Sequence, residues 1–379
     1  MKRSSDVLKA ELSGVLSGPL LSPEITLAAC GRLSEKIRSG HIPFPPGFSA
    51  GREDLEKAAC LLDADRLRDR MNRELGAEGY GTKWLPLGIL LHIGAGNVPG
   101  LGAYSVMEGL LTGNINLLKP ASCDYPVSRF LLKLLAEEEP RLAPYIHIFR
   151  IPSSCPEKLR KLARMADAAV IWGGMDAVRS VRSLLSPGQK LIEWGHKISF
   201  AYVTMEGASK PLDLFRLARH MFLTQGRYCS SCQGIFLDTD RPEDLRTFCG
   251  KFRKLYESCA SLREDPEHSL SETAGKTLNS YCASMKTALD APLSASAGGC
   301  WIRLLPRNRM AESLRDIAPM LQTACLICSD HEKDALSYLL LRSGISRVCS
   351  AGQLSDFSDY GQIHDGEYAL RRYCKIISL

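Results

Sequence analysis

Of 14 cysteines, Cys229 has the surroundings best suited to chemistry. It lies in Phe222-Leu-Thr-Gln-Gly226-Arg-Tyr-Cys229-Ser-Ser, where a glycine, an arginine, a tyrosine and two serines spell a loop rather than a core strand. A loop cysteine that ionises is a nucleophile, and its thiolate forms thioesters with acyl donors and thiohemiacetals with aldehydes. Three other segments carry residues suited to a charged ligand. Lys119 and Pro120 close an apolar run, and a lysine at the C-terminal end of a strand stands where open sheets bind ligands. Gly173 and Gly174 precede a helical stretch. Their missing side chains would let a pyrophosphate approach the helix N-terminus, although a glycine pair also makes a plain tight turn. Gly94-Ala-Gly96-Asn97-Val-Pro99 is a glycine turn of the kind an asparagine commonly closes. It is not the dinucleotide fingerprint, because Pro99 occupies the place of a glycine and a lysine, not an acid, follows about 20 residues on.

Taken together, these segments resemble the aldehyde dehydrogenase superfamily. Phe222, Gly226 and Cys229 fit its nucleophile motif, while Arg227 departs from the usual Gln or Glu. The turn around Asn97 resembles its Asn-Phe-Pro turn, and Leu117-Leu-Lys119-Pro120-Ala-Ser122 its Lys-Pro-Ser strand end. Trp172-Gly173-Gly174-Met-Asp-Ala stands in the place of its Gly-Ser helix start, and Glu193-Trp-Gly195-His196 resembles its Glu-Leu-Gly-Gly segment. The landmarks follow in the superfamily's order. Within it, Lys197-Ile-Ser-Phe, Cys229-Ser-Ser-Cys-Gln233, Leu321-Gln-Thr323 and His364-Asp-Gly366 resemble the bacterial acyl-CoA reductase (LuxC) family, from roughly residue 50 onward. The chain is shorter than the typical member, with the difference expected at the N-terminus.

The resemblance implies a reductase that converts a fatty acyl thioester to an aldehyde through an acyl-cysteine on Cys229. Asn97 would donate its amide N–H to the developing oxyanion, together with the backbone N–H of Cys229. Lys119 would contact the adenosine ribose or its 2′-phosphate, and Gly173 and Gly174 the pyrophosphate. Where NAD-specific relatives commonly carry a glutamate after Lys-Pro-Ser, this chain has Ser122, which removes a negative charge and favours NADPH. Asp124 would restore NADH selectivity if it turned to the ribose, but its place before Tyr125 and Pro126 suits a helix N-cap better. Glu193 activates water in aldehyde-oxidising relatives, a step a reductase does not need. Here either Glu193 or His196 would manage protons, or serve structure. The donor would be acyl-CoA or an acyl-protein, with an acyl-protein synthetase as a further partner and a homo-oligomer as the expected assembly. Alternatives are reduction of a short acyl-CoA or an acyl phosphate, and an acyltransferase or thioesterase using the same cysteine.

The elements that must position these residues alternate. Strands are expected at Ile89–Ile93, Ile115–Leu118, Ile146–Phe149 and Ala168–Trp172. Helices are expected at Leu101–Leu111, Tyr125–Leu135 and Met175–Leu184, with a Ser154/Glu157 capping box opening the helix before Ala168. Earlier, helices are expected at Ala28–Ser39 and, unbroken, at Asp54–Leu75, separated by an extended arm at Pro43–Pro46. This pattern predicts an α/β fold of the aldehyde dehydrogenase type, with a doubly wound cofactor domain and a second α/β catalytic domain. The first is expected over 1–224, with 351–379 returning to it or to an oligomer contact, and the second over 225–350. In the second, strands are expected at Gly234–Leu237, Trp301–Leu305, Ala324–Ile327 and Arg347–Cys349. A helix is expected at Pro242–Cys259, and a polar helical or looped stretch at 261–297.

Composition narrows the function classes. The 48 basic against 42 acidic residues give +6, with the bases scattered, which favours an anionic cofactor over a nucleic acid. The longest apolar run, Leu85 to Ile93, is too short to span a bilayer. The N-terminus has charge but no apolar core, so no signal peptide is read. Fourteen cysteines without one point to reduced thiols and a cytoplasmic protein. Cys229/Cys232 and Cys325/Cys328 form two Cys-x-x-Cys pairs too far apart for a zinc ribbon, so no metal is expected, and a Cys229–Cys232 disulfide stays open.

Overall fold

Short apolar runs separated by helices require a sheet buried on both faces, and the chain builds two of them. The computed structural model describes residues 5–42, 52–76, 81–152, 154–195, 197–226, 228–259, 294–297, 300–354 and 365–378. The arm at 43–46, most of the 261–297 stretch, Arg227, His196 and His364 lie outside the described residues. Contacts divide the chain into one unit of residues 1–195 with 357–379, and a second of 196–356.

In the first unit, β1 (Thr82–Pro86) is followed by five parallel strands: β2 (Ile89–Ile93), β3 (Ile115–Lys119), β4 (Ile146–Ile148), β5 (Ala168–Trp172) and β6 (Lys190–Trp194). Their order is β4-β3-β2-β5-β6. The chain winds outward from β2 in one direction, then returns to its other side with β5. One face packs against the helices Pro23–Arg38, Leu101–Leu111 and Tyr125–Glu138 through Leu33, Val106, Leu118 and Leu132. The other packs against Ser5–Leu16, Pro156–Ala163 and Met175–Arg182 through Leu8, Leu91, Leu162 and Val178.

Three local expectations are corrected. The helix expected unbroken to Leu75 is two helices, Arg52–Leu61 and Ala64–Leu75, because Asp63 adopts extended backbone and its carboxylate accepts from the N–H of Arg66 at 3.2 Å. The capping box before Pro156 does not form: the N-cap is Cys155, without a side-chain cap bond, and Glu157 pairs with Arg160 at 2.6 Å. The boundary falls after Gly195, not after residue 224, because β7 (Ile198–Thr204) is hydrogen-bonded within the second unit's sheet.

Residues 365–378 belong to the first unit. Strand β13 (Cys374–Ser378) pairs antiparallel with β1. Beside it a polar network is buried. Arg70 binds Glu74 and Glu108 at 2.6 Å each, Tyr373 donates to Glu108 at 3.0 Å, and the Leu370 N–H donates to Glu74 at 2.7 Å. Buried charges are tolerated when paired and hydrogen-bonded as these are. The Tyr373 ring closes over Leu90, Val170 and Trp194.

The second unit repeats the winding. Its sheet has the order β12-β11-β7-β8-β10-β9, comprising β7, β8 (Cys232–Asp238), β9 (Ser294–Ala297), β10 (Cys300–Leu304), β11 (Leu321–Ile327) and β12 (Arg347–Cys349). All neighbours are parallel except β9 and β10. The helices Pro211–Thr224 and Pro242–Ser258 cover one face, and Lys333–Arg342 covers the other. No helix among the described residues is long and apolar enough to cross a membrane.

Candidate functional site

The first unit gathers its candidate residues on one sheet edge. In register, Lys119 pairs with Ile93, Ile93 with Ile171, and Ile171 with Glu193, so the four form a row across β3, β2, β5 and β6. Beyond the row, at the C-terminal edge, come the Asn97 turn after β2, Ser122 after β3, and Gly173 and Gly174 after β5. The winding reverses between β2 and β5, and open sheets bind ligands in the crevice at such a switch point. With adjacent strands about 4.8 Å apart, Lys119 and Glu193 stand roughly 14 Å apart at the backbone. At that separation the two cannot meet on one group of a ligand.

Asp124 joins the first two loops. Its carboxylate accepts from the N–H of Gly100 at 2.6 Å and of Gly102 at 3.3 Å, and from the Ser128 hydroxyl at 2.6 Å. The carboxylate thus caps the helix Leu101–Leu111, not the helix Tyr125–Glu138 that follows it. Burial raises its pKa against these three bonds. Gly100 has φ +81, and a Cβ on Gly102 would stand 2.8 Å from the Ser128 hydroxyl, so both glycines are required for this close approach. The Asn97 turn and the Ser122 loop are therefore held as one piece. Asn97 and Ser122 are exposed, and half-burial of Lys119 lowers the pKa of its ammonium by desolvation.

Gly174 is the N-cap of Met175–Arg182, with φ −70, and an added Cβ would meet nothing. Neither backbone nor packing demands glycine there; its effect is to leave the first turn of the helix open. Behind it, Trp172 donates to Ser105 at 3.0 Å, and Ser105 Oγ lies 2.7 Å from His92 Nδ1. His92 Nε2 meets Asn116 Oδ1 at 2.9 Å, which makes it the donor and leaves Nδ1 to accept. Burial holds the imidazole neutral, down to about 4, against the opposing bond to Asn116.

The Glu193 carboxylate is bound by Arg182, at 3.1 Å. Its carbonyl accepts from Arg372 at 3.0 Å, and the Arg372 guanidinium lies 4.5 Å from the Trp194 ring centroid. The C-terminal segment thus clamps the end of β6. Asp124's reach to Gly100, Arg182 and Arg372 were not identified from the sequence. Their partners are 24, 11 and 179 positions away, and no local pattern announces them.

In the second unit, Cys229 precedes β8 and so stands at the N-terminal edge of its sheet. The helix Pro211–Thr224 ends in two consecutive left-handed residues, Gln225 (φ +47) and Gly226 (φ +69). For glutamine this costs on the order of 1 kcal/mol. The motif's Phe222 anchors that helix end edge-on to Tyr256, with centroids 5.5 Å apart. Tyr228 and Ser231 close the loop reciprocally: the Tyr228 N–H donates to Ser231 Oγ at 3.1 Å, and the Ser231 N–H to the Tyr228 carbonyl at 3.0 Å. Cys229 is left half-buried. Cys232, by contrast, shares one apolar core with Cys249, Cys259, Cys300, Cys325 and Cys349. Burial pushes the Cys232 and Cys325 thiols well up. A protonated, buried Cys232 is a poor partner for exchange with Cys229. Cys328 packs in the separate core on the sheet's other face, apart from Cys325.

The family model for the acyl-CoA reductase (LuxC) family matches residues 54–293 and 300–376. The chain belongs to that family. It is similar to a long-chain acyl-protein thioester reductase of Photorhabdus laumondii subsp. laumondii, with 25% identity over 88% of this chain and 75% of that one. It is also similar to one of Vibrio harveyi, with 26% identity over 53% of this chain and 45% of that one. Solved structures that share the fold include aldehyde dehydrogenase 21 from Physcomitrella patens, at TM-score 0.67 and 13% identity, covering 99% of this chain and 89% of that one. A benzaldehyde dehydrogenase from Corynebacterium glutamicum aligns at TM-score 0.66 and 14% identity, over 99% and 88%. The fold is thus that of the aldehyde dehydrogenases, and this LuxC-family chain is an oxidoreductase of the acyl reductase type. Such an enzyme draws on a nicotinamide cofactor. The open helix start at Gly174, the half-buried Lys119 and the exposed loops on one sheet edge suit one.

Proposed function

We propose that this LuxC-family enzyme reduces a long-chain fatty acyl thioester to the aldehyde, with NADPH, through an acyl-Cys229 intermediate. The observation that carries the reading is the Cys229 loop, which keeps one thiol half-buried while the neighbouring Cys232 is buried in the core. The Cys229 thiolate attacks the thioester carbonyl, and the tetrahedral oxyanion collapses to expel the donor thiolate, which takes up a proton. The Cys229 backbone N–H stabilises the negative oxygen, and the family resemblance gives the Asn97 amide the part of a second donor. When bound, the nicotinamide supplies the hydride that converts the acyl-enzyme to a thiohemiacetal. Loss of the aldehyde then regenerates Cys229. Lys119, Ser122, Gly173 and Gly174 hold the cofactor, and the donor is acyl-CoA or an acyl-protein, the latter being the substrate class named for the bacterial relatives.

The test is incubation with acyl-CoA thioesters of graded length, and with an acylated carrier protein, in the presence of NADPH. Aldehyde is followed by gas chromatography. Aldehyde from the long chains supports the reading, whereas release of free acid or transfer without reduction would favour a thioesterase or acyltransferase.

The cofactor preference follows from Ser122, which offers a hydroxyl rather than a carboxylate to a 2′-phosphate, next to the positive Lys119. Asp124 is already engaged with Gly100, Gly102 and Ser128. kcat/KM is therefore expected to be higher with NADPH than with NADH. A clear preference for NADH would place the pocket elsewhere.

Glu193→Gln is expected to reduce turnover far less than Cys229→Ala, since reduction needs no activated water and Arg182 already engages the carboxylate. Equal losses in two folded variants would give Glu193 a necessary part in the reaction.

A further inference from the structure

We propose that Ser199 is the positioning residue of the Cys229 loop, a role that rests on reading Cys229 as the nucleophile. Ser199 is wholly buried in β7. Its hydroxyl donates to the Cys229 carbonyl at 2.6 Å and accepts from the Thr323 N–H at 3.1 Å. Two irregularities meet here. The register of β7 with β8 shifts between Ser199 and Phe200, and that of β11 with β7 shifts between Leu321 and Ala324. A shifted ladder leaves backbone groups without strand partners. The Ser199 hydroxyl bridges the Thr323 N–H, inside the β11 irregularity, and the Cys229 carbonyl, three residues before β8, and so ties the loop to the centre of the sheet. Holding the Cys229 carbonyl fixes the peptide that follows the nucleophile, and with it the direction in which its side chain leaves the backbone. The loop's own bonds, between Tyr228 and Ser231, close its curvature but do not attach it to the sheet.

The role is tested in the full chain with Ser199→Ala, Ser199→Thr and Cys229→Ala. Three readouts are taken: alkylation of Cys229 by iodoacetamide mapped by peptide mass spectrometry, kcat and KM for reduction, and the melting temperature. Ser199→Ala is expected to lower kcat by about tenfold or more and to change the Cys229 alkylation rate, with KM for the cofactor unchanged. Ser199→Thr, which keeps the hydroxyl, is expected to restore most of both. A lower melting temperature with unchanged kcat and unchanged Cys229 alkylation would reduce Ser199 to a structural residue and overturn the proposal. If Ser199→Ala does not fold, Ser199→Cys, close in volume but a weak donor, takes its place under the same criteria. Full activity in Cys229→Ala would instead remove the nucleophile reading, an outcome separable from the first because alkylation reports the loop without catalysis.

Discussion

Cys229→Ala is expected to abolish aldehyde formation, by a factor on the order of a thousand or more, while the folded protein still binds its cofactor. The loss is large because the neighbouring thiol, Cys232, cannot substitute. Cys232 is three residues away in sequence, but its thiol lies in the apolar core at 2% exposure, where burial keeps it protonated. In the wild-type protein, acyl-CoA supplied without cofactor should stop at the covalent stage. Mass spectrometry of the peptides should then find the acyl group on Cys229. An adduct confined to Cys232, or full activity in the variant, would refute the assignment.

Asn97→Ala is expected to slow turnover by about a hundredfold or more, the usual effect of removing one oxyanion donor, with cofactor affinity nearly intact. The separation is expected because the Asn97 turn does not depend on the asparagine side chain alone. Asp124 holds the next helical start through the N–H groups of Gly100 and Gly102, so the loop should keep its shape. Titration of NADPH binding alongside single-turnover kinetics distinguishes the outcomes. Weakened binding with normal turnover at saturation would make Asn97 a turn or binding residue.

The parallel sheet of the first unit was legible because fully buried strands read as unbroken apolar runs. Leu90, Leu91, Leu117 and Val170 all sit at 0% exposure. Strand β6 escaped for the converse reason. It lies at the sheet edge, and Lys190 and Glu193 interrupt its apolar residues. The unbroken helix expected through Asp63 followed the helical period correctly on both sides of a residue whose carboxylate prefers to cap. The order of the landmarks along the chain led to Cys229, Asn97, Lys119 and the glycine pair. Yet the residues that fix those loops in space, namely Asp124, Arg372 and Ser199, act through bonds to partners 22 to 179 positions away. Such bonds depend on which strands become neighbours, and a single sequence does not state that.

The return of residues 365–378 to the first unit bears on how the protein is made. A ribosome delivers the chain from its N-terminus, and domains tend to fold as they emerge. Here the segment 196–356 is complete while the first unit still lacks its final strand. Until Leu370 and Tyr373 arrive, Glu74 and Glu108 lack two of their hydrogen-bond donors, and one face of Leu90, Val170 and Trp194 lies open. The end of β6, which Arg372 secures, is likewise unfinished. A nascent chain halted before Ala369 would therefore carry a finished second unit behind an unsealed first one. The emergence of residues 369–378, rather than that of the loops after β2, β3 and β5, becomes the event after which the first unit can close its core.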